Sequence, residues 1–203
     1  VMQMDISGYF MSINRELLYH KVNGMLQREC RKCALSGKIM PFDASIVDFL
    51  LQKTIFRNPA DNCVIKGSRS DWDGLPANKS LFYASEGYGL PIGNLTSQLF
   101  GNVFLNDFDR WMKQNMGFRH YGRYVDDFVL VHEDNEYLKA IIPEIRSFLQ
   151  NDLHLELHPK KIFLQHYKKG LKYLGAFIKP GRIYIANRTK GNFYNSIQKH
   201  NAV

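Results

Sequence analysis

Apolar and polar positions change period several times along the chain, and each change predicts an element. Val1 to Asp5 alternates and reads as a short strand. From Ile13 to Cys33 the residues Leu17, Leu18, Val22, Met25 and Leu26 recur at helical spacing, with Ser12 or Asn14 as cap. Pro41-Phe42 breaks that helix, and Asp43 opens a second one carrying Ile46, Val47, Phe49, Leu50 and Leu51. Asn58 to Gly93 has no period and is rich in Gly, Pro, Ser and Asn; loops of that length are usually functional or flexible. Asn94 then caps a helix whose row Leu95, Leu99 and Val103 is widened by Phe100, Phe104, Phe108 and Trp111-Met112, and Gly117 ends it. Arg119 to Tyr124 and Phe128 to His132 read as the strands of a hairpin. Asn135 caps a helix to about Leu153, with Pro143 kinking it or delaying its start. A strand around Leu155-Glu156-Leu157 follows, then a hairpin of Leu171 to Ile178 and Arg182 to Ile185 across Pro180-Gly181. Strand, helices, hairpin, helix and strand in that order predict an α+β fold. Its pattern is the split βαββαβ of a ferredoxin-like antiparallel sheet packed on helices. In that fold the first strand neighbours the hairpin, which puts Asp5 within reach of Asp126 and Asp127.

Those two acids sit between strand-forming runs, in Arg123-Tyr124-Val125-Asp126-Asp127 before Phe128-Val129-Leu130-Val131. Asp-Asp favours turns, so both are expected at the hairpin tip. Close like charges resist joint ionisation unless a cation joins them. Oxygen ligands suit Mg²⁺, which takes one or two carboxylates together with substrate phosphates. An ordinary solvated turn remains the alternative for an isolated pair. Three carboxylates can clamp two divalent cations, one activating a 3′-hydroxyl and the other holding a triphosphate, which is what nucleotidyl transfer requires.

Composition narrows the choice further. The chain has 203 residues, 45% hydrophobic and 13% aromatic, enough for one good core and too apolar for disorder. No apolar run is long enough for a membrane span and no secretory leader is evident, so a cytoplasmic, bacterial or phage-encoded protein with no membrane partner is expected. Three cysteines form no framework; Cys30 and Cys33 lie within a helical stretch and read as free thiols rather than a zinc site. The net charge of +8 is uneven: Glu156 is the last acid, and ten basic residues follow it. Phe163, Tyr167, Tyr173, Phe177, Tyr184, Phe193 and Tyr194 are interleaved with them. Basic residues neutralise phosphates and aromatic rings stack on bases, so nucleic acid is the expected partner of this segment.

Five segments, in order, resemble the motifs of reverse transcriptases. Asp5-Ile6-Ser7-Gly8-Tyr9-Phe10 is similar to the first catalytic motif, and Tyr124-Val125-Asp126-Asp127 to the catalytic hairpin. Gly89-Leu90-Pro91-Ile92-Gly93-Asn94-Leu95-Thr96-Ser97-Gln98 resembles the motif that opens the helix under the incoming base pair. His158-Pro159-Lys160-Lys161 and Lys172-Tyr173-Leu174-Gly175-Ala176 resemble the next motif and the primer grip.

The resemblance implies a right-hand polymerase palm over residues 1–190, with the primer-grip hairpin at about 171–185 and the start of a thumb connection at 191–203. Fingers would be largely missing and a thumb missing or only begun, so the chain is expected to be part of a longer protein. It also implies Asp5, Asp126 and Asp127 as ligands of two Mg²⁺ ions, with Mn²⁺ as substitute, and with Asp127 less directly engaged. Lys161 or Lys160 would protonate the leaving pyrophosphate. Ile6, Ser7, Gly8, Tyr9, Phe10, Ile92 and Gly93 would line the nucleotide, Phe10 as the aromatic gate that selects deoxynucleotides. Ser97, Gln98, Arg123, Tyr124, Tyr173, Leu174 and Gly175 would face template and primer. The implied partners are an RNA template, a DNA or RNA primer and dNTPs. Most members carry Gln where this chain has Ile92, and Pro where it has Gln98. The form seen here resembles the enzymes of diversity-generating retroelements, which misincorporate opposite template adenines and work with a small basic helical accessory protein. A group II intron-like enzyme and a non-catalytic palm-like nucleic-acid-binding module are the alternatives.

Overall fold

The computed structural model of the chain describes residues 1–201. It is a mixed α/β architecture with two antiparallel sheets. In the larger sheet β1 (Met2–Asp5) pairs with both β3 (Asp127–Val131) and β4 (Phe163–Leu164), while β2 (His120–Tyr124) pairs with β3. The strand order is β2-β3-β1-β4. Period-two alternation decides the faces: Met2, Met4, Phe128 and Leu130 are fully buried, while Gln3, Asp5, Asp127 and Val129 lie on the half-exposed side. The buried face shares one core with Phe104, Phe108 and Met112, and with Ile145, Leu149 and Leu153.

The helices follow the expected apolar rows with adjustments at their ends. A short turn α1 (Tyr9–Ser12) precedes α2 (Arg15–Leu35). Asn14, not Ser12, caps α2, accepting from Leu17 N at 2.8 Å. Asp43 caps α3 (Ala44–Phe56) through Ser45 N and Ile46 N. The row from Leu95 is interrupted: α4 (Leu95–Phe104) gives way at Leu105 to α5 (Asn106–Arg110) and a π turn at Trp111–Asn115. Asn94 stands at the N-cap of α4, but its side chain makes no capping bond. After the hairpin Asp134 caps one residue earlier than expected, since its carboxylate reaches both Glu136 N and Tyr137 N. Pro143 divides that helix into α6 (Asn135–Ala140) and α7 (Ile142–Leu153).

Two expectations are corrected. Leu155-Glu156-Leu157 is extended but makes only the bridge Ile6–Leu157. Ser7 N donates to Glu156 O at 2.8 Å and His158 N to Asp5 O at 2.8 Å, after which Pro159 offers no N–H to continue the ladder. The fourth strand is therefore β4, further along the chain. The run from Leu171 to Ile178 is also not one strand. It folds back at Leu174 and Gly175, with φ of 49° and 80°, giving β5 (Leu171–Tyr173) and β6 (Ala176–Lys179). With β7 (Arg182–Ile185) these form the second sheet, followed by the exposed helix α8 (Asn187–Asn201), within which the boundary expected near residue 190 falls.

The long segment 58–93 contains three short 3₁₀ turns and is tied down at its end. Leu90 N donates to Phe10 O at 2.8 Å, and the buried Arg15 donates through Nε to Gly89 O at 2.7 Å.

Candidate active site

The β2–β3 hairpin closes on the pair Tyr124–Asp127, leaving Val125 and Asp126 as its two-residue turn. Asp126 thus occupies the turn itself, and Asp127 is the first residue of β3. Val125 has φ of 57°, a left-handed conformation that a β-branched residue rarely adopts and that surrounding contacts must enforce. Arg123 supplies one such contact, donating through Nη1 to the Val125 carbonyl at 2.7 Å. Its Nε and Nη2 donate to Asp109 of α5 at 2.8 and 2.6 Å, and Nη1 also reaches Asn102 of α4 at 3.3 Å. The Arg123 side chain is only 7% exposed. Arg123 therefore braces the acidic turn from within.

Asp5 ends β1 directly opposite Asp127, and Ile6 N donates to Asp126 O at 3.1 Å. The three acids thereby meet at one edge of the sheet, though each carboxylate has different company. Lys161 Nζ stands 2.9 Å from Asp5 Oδ2, while Lys160 forms no ion pair among the described residues. Gln3 Nε2 donates to both oxygens of Asp127 at 3.0 Å. The Asp126 carboxylate accepts no side-chain hydrogen bond among the described residues. Burial first, then the charge of Asp5, pushes the Asp126 carboxyl above its ordinary 3.8; Lys161 opposes this. Burial and Asp5 likewise raise Asp127, against the Gln3 hydrogen bond. The donor set is all hard oxygen with uncompensated negative charge, which suits Mg²⁺. Among the described residues no three acidic, His or Cys side chains converge closely enough to hold an ion; Asp5 and Asp127 are instead engaged by Lys161 and Gln3.

The neighbouring motif residues divide by depth. Ile6 and Tyr9 are buried, so Ile6 offers a substrate only its backbone; the Tyr9 hydroxyl donates to Gly101 O at 2.5 Å. Phe10 is half-buried beside α4, and a Cβ on Gly101 would stand 3.3 Å from both the Phe10 and the Tyr9 ring. Glycine there is what lets α4 approach α1. Gly8 caps α1 in the left-handed region with φ of 52°. Ser7 is half-buried. Ile92 is 67% exposed, Gly93 has φ of 101° with open space around it, and Gln98 is exposed, whereas Ser97 is 3% exposed. Tyr124 and Leu174 are exposed. Tyr173 links the second sheet to the acidic turn, its hydroxyl donating to Asp127 O at 3.2 Å. Gly175 O accepts from Ala186 N at 2.9 Å and Thr189 Oγ1 at 3.1 Å, tying that turn to α8.

Gln3, Asn102 and Asp109 escaped the sequence reading. Gln3 was within reach of it, because a residue two before Asp5 on a strand shares its face. No local pattern marks Asn102 or Asp109.

A family profile described as reverse transcriptase (RNA-dependent DNA polymerase) matches residues 1–178. Protein YkfC of Escherichia coli (strain K12) is 30% identical in an alignment covering 43% of this chain and 31% of that protein. The chain thus spans less than a third of the length of this curated relative. No helix among the described residues is long and apolar enough to cross a membrane.

Proposed function

Since the chain belongs to the reverse transcriptase (RNA-dependent DNA polymerase) family, we propose that the protein carrying it is an RNA-directed DNA polymerase. It would add dNTPs to the 3′-hydroxyl of a DNA or RNA primer on an RNA template. The observation that carries this reading is the meeting of Asp5, Asp126 and Asp127 at one sheet edge, with Asp5 and Asp127 as direct strand partners. The order β2-β3-β1-β4, antiparallel throughout, supports a ferredoxin-like palm over residues 1–190; the start of a thumb connection would be 191–203, whose last two residues lie outside the described ones.

Asp5 and Asp126 would hold two Mg²⁺ ions, with Asp127 less directly engaged. Such ions, when bound, activate the primer hydroxyl and steady the leaving oxygen. The chain's own residues supply position and protons. Lys161, which meets Asp5, would be the lysine that protonates the pyrophosphate, its contact with Asp5 supporting it over Lys160. Tyr173 couples the primer-grip turn to Asp127, so a primer held at Leu174 and Gly175 is kept in register with the acids. Phe10, half-buried beside Gly101, would stand as the aromatic gate against a ribose 2′-hydroxyl.

The exposed Ile92 and Gln98 support the error-prone subtype. An apolar side chain at position 92 cannot make the hydrogen bond that Gln would offer near the nascent pair, so mispairs are rejected less strictly. A non-catalytic nucleic-acid-binding role is the competing reading, favoured by the engagement of Asp5 and Asp127 with Lys161 and Gln3.

The test is dNTP incorporation on an RNA template with Mg²⁺ by the full-length protein. Activity is expected in the wild type and absent in Asp126→Ala; activity surviving in the variant overturns the assignment. Sequencing of the cDNA tests the subtype: errors should concentrate at template adenines, and an even spread refutes it.

A further inference from the structure

Of the three carboxylates, one has its orientation set by a neutral side chain. Gln3 Nε2 lies 3.0 Å from both Asp127 oxygens. The strand register explains the contact: Gln3 is paired with Val129 and Asp5 with Asp127, so Gln3 reaches Asp127 diagonally on the half-exposed face. Asp5 is engaged differently. Its partner is the ammonium of Lys161, on a side chain 55% exposed, which an incoming cation can displace. Asp127 is further restrained by its backbone, whose carbonyl accepts from Tyr173 and whose strand partners are Asp5 and Tyr124.

We propose that Gln3 is a positioning residue that holds the Asp127 carboxylate along the strand and so reserves cation binding for Asp5 and Asp126. The inference rests on the acidic edge being a cation site. A neutral amide suits the task, because it fixes both oxygens without adding charge that would repel the ion, as a lysine would. Released from Gln3, Asp127 is free to rotate toward Asp126 as a third anionic ligand. More anionic ligands bind a hard cation more tightly.

The test uses the full-length protein with Mn²⁺ alone as probe, its binding followed by electron paramagnetic resonance, with Asp126→Asn, Asp127→Asn, Gln3→Met and the Gln3→Met/Asp127→Asn double variant. Asp126→Asn should weaken binding about 100-fold and Asp127→Asn by less than about fivefold, since only the former removes a direct ligand. Gln3→Met, of equal length without the donor, should tighten binding about fivefold, and that gain should vanish when Asp127→Asn is added, a coupling that a double-variant cycle isolates. Gln3→Thr, a good strand former too short to reach Asp127, should repeat the gain if Gln3→Met fails to fold. Wild-type affinity in both Gln3 variants, or a gain persisting without Asp127, overturns the role of Gln3. Indifference of Mn²⁺ binding to Asp126→Asn would instead overturn the cation site itself.

Discussion

Replacing Asp109 by alanine should destabilise the protein well beyond the loss of an ordinary surface ion pair. Asp109 accepts from Arg123 Nε at 2.8 Å, Arg123 Nη2 at 2.6 Å and the Tyr121 hydroxyl at 2.5 Å. The Arg123 side chain is 7% exposed and that of Asp109 28%, so the surviving guanidinium could not be solvated without opening the helix–sheet contact. Arg123 would keep only Asn102 and the Val125 carbonyl as acceptors. Breaking a buried pair by removing one partner costs about 3–5 kcal/mol, whereas exposed pairs contribute about 0–1 kcal/mol. In a domain of this size each kcal/mol corresponds to a shift of about 2–4 °C, so the melting temperature should fall by about 6–20 °C. The loss should be insensitive to salt, because the pair is shielded from solvent ions. Activity should fall further than stability under folding conditions, since Arg123 also holds the strained Val125 turn from which Asp126 projects. Arg123→Leu/Asp109→Leu, which removes both charges, should recover part of the stability and little of the activity. Urea unfolding of the single and double variants measures the coupling directly. A loss below about 1 kcal/mol in Asp109→Ala would refute the claim that this pair anchors the hairpin.

Four further outcomes are expected. Asp126 and Asp127 both have carboxyls raised above the ordinary 3.8, so the metal-free fold binds their protons more tightly than the unfolded chain does. The metal-free protein should therefore lose stability as pH rises from 3.8 through the raised values, and Asp126→Asn should flatten that slope while abolishing activity; thermal melts across the acidic range with a chelator check it. Phe108 is fully buried, with ring centroids 5.2 Å from Phe128 and 5.7 Å from Phe148; Phe108→Ala should cost about 3–5 kcal/mol in urea unfolding. Leu174, exposed and with φ of 49° ahead of Gly175, should give a more stable turn as Leu174→Asn, by about 0.5–1 kcal/mol, with weaker primer binding in a filter assay. Tyr173→Phe, losing the 3.2 Å bond to Asp127 O, should raise the KM for primer with little change in melting temperature.

The family was legible in the sequence alone. Strand periodicity placed Asp5 and the Asp126-Asp127 hairpin on elements that pair, and five short ordered motifs, spread from Asp5 to Ala176 across the stretch that the family profile matches, pointed to one family. These signals are short-range, set by pleat alternation and by which residues tolerate a turn. Element ends were less legible, because a cap or a break is decided by competing neighbours. Asp134 out-competed Asn135, and the Leu174-Gly175 turn split a run that alternation alone read as one strand.

Only the tertiary structure decided the company each functional group keeps. Lys160 and Lys161 are indistinguishable in sequence, yet only Lys161 meets Asp5, across 156 positions of chain. Arg123 read as a nucleic-acid contact until packing turned it inward onto Asp109. Gln3 carried no assigned role in the sequence, and the β1–β3 register brings it to Asp127. Periodicity says which face of an element a side chain occupies. Partners between elements depend on register, crossing and depth, which emerge only when the elements pack into one core.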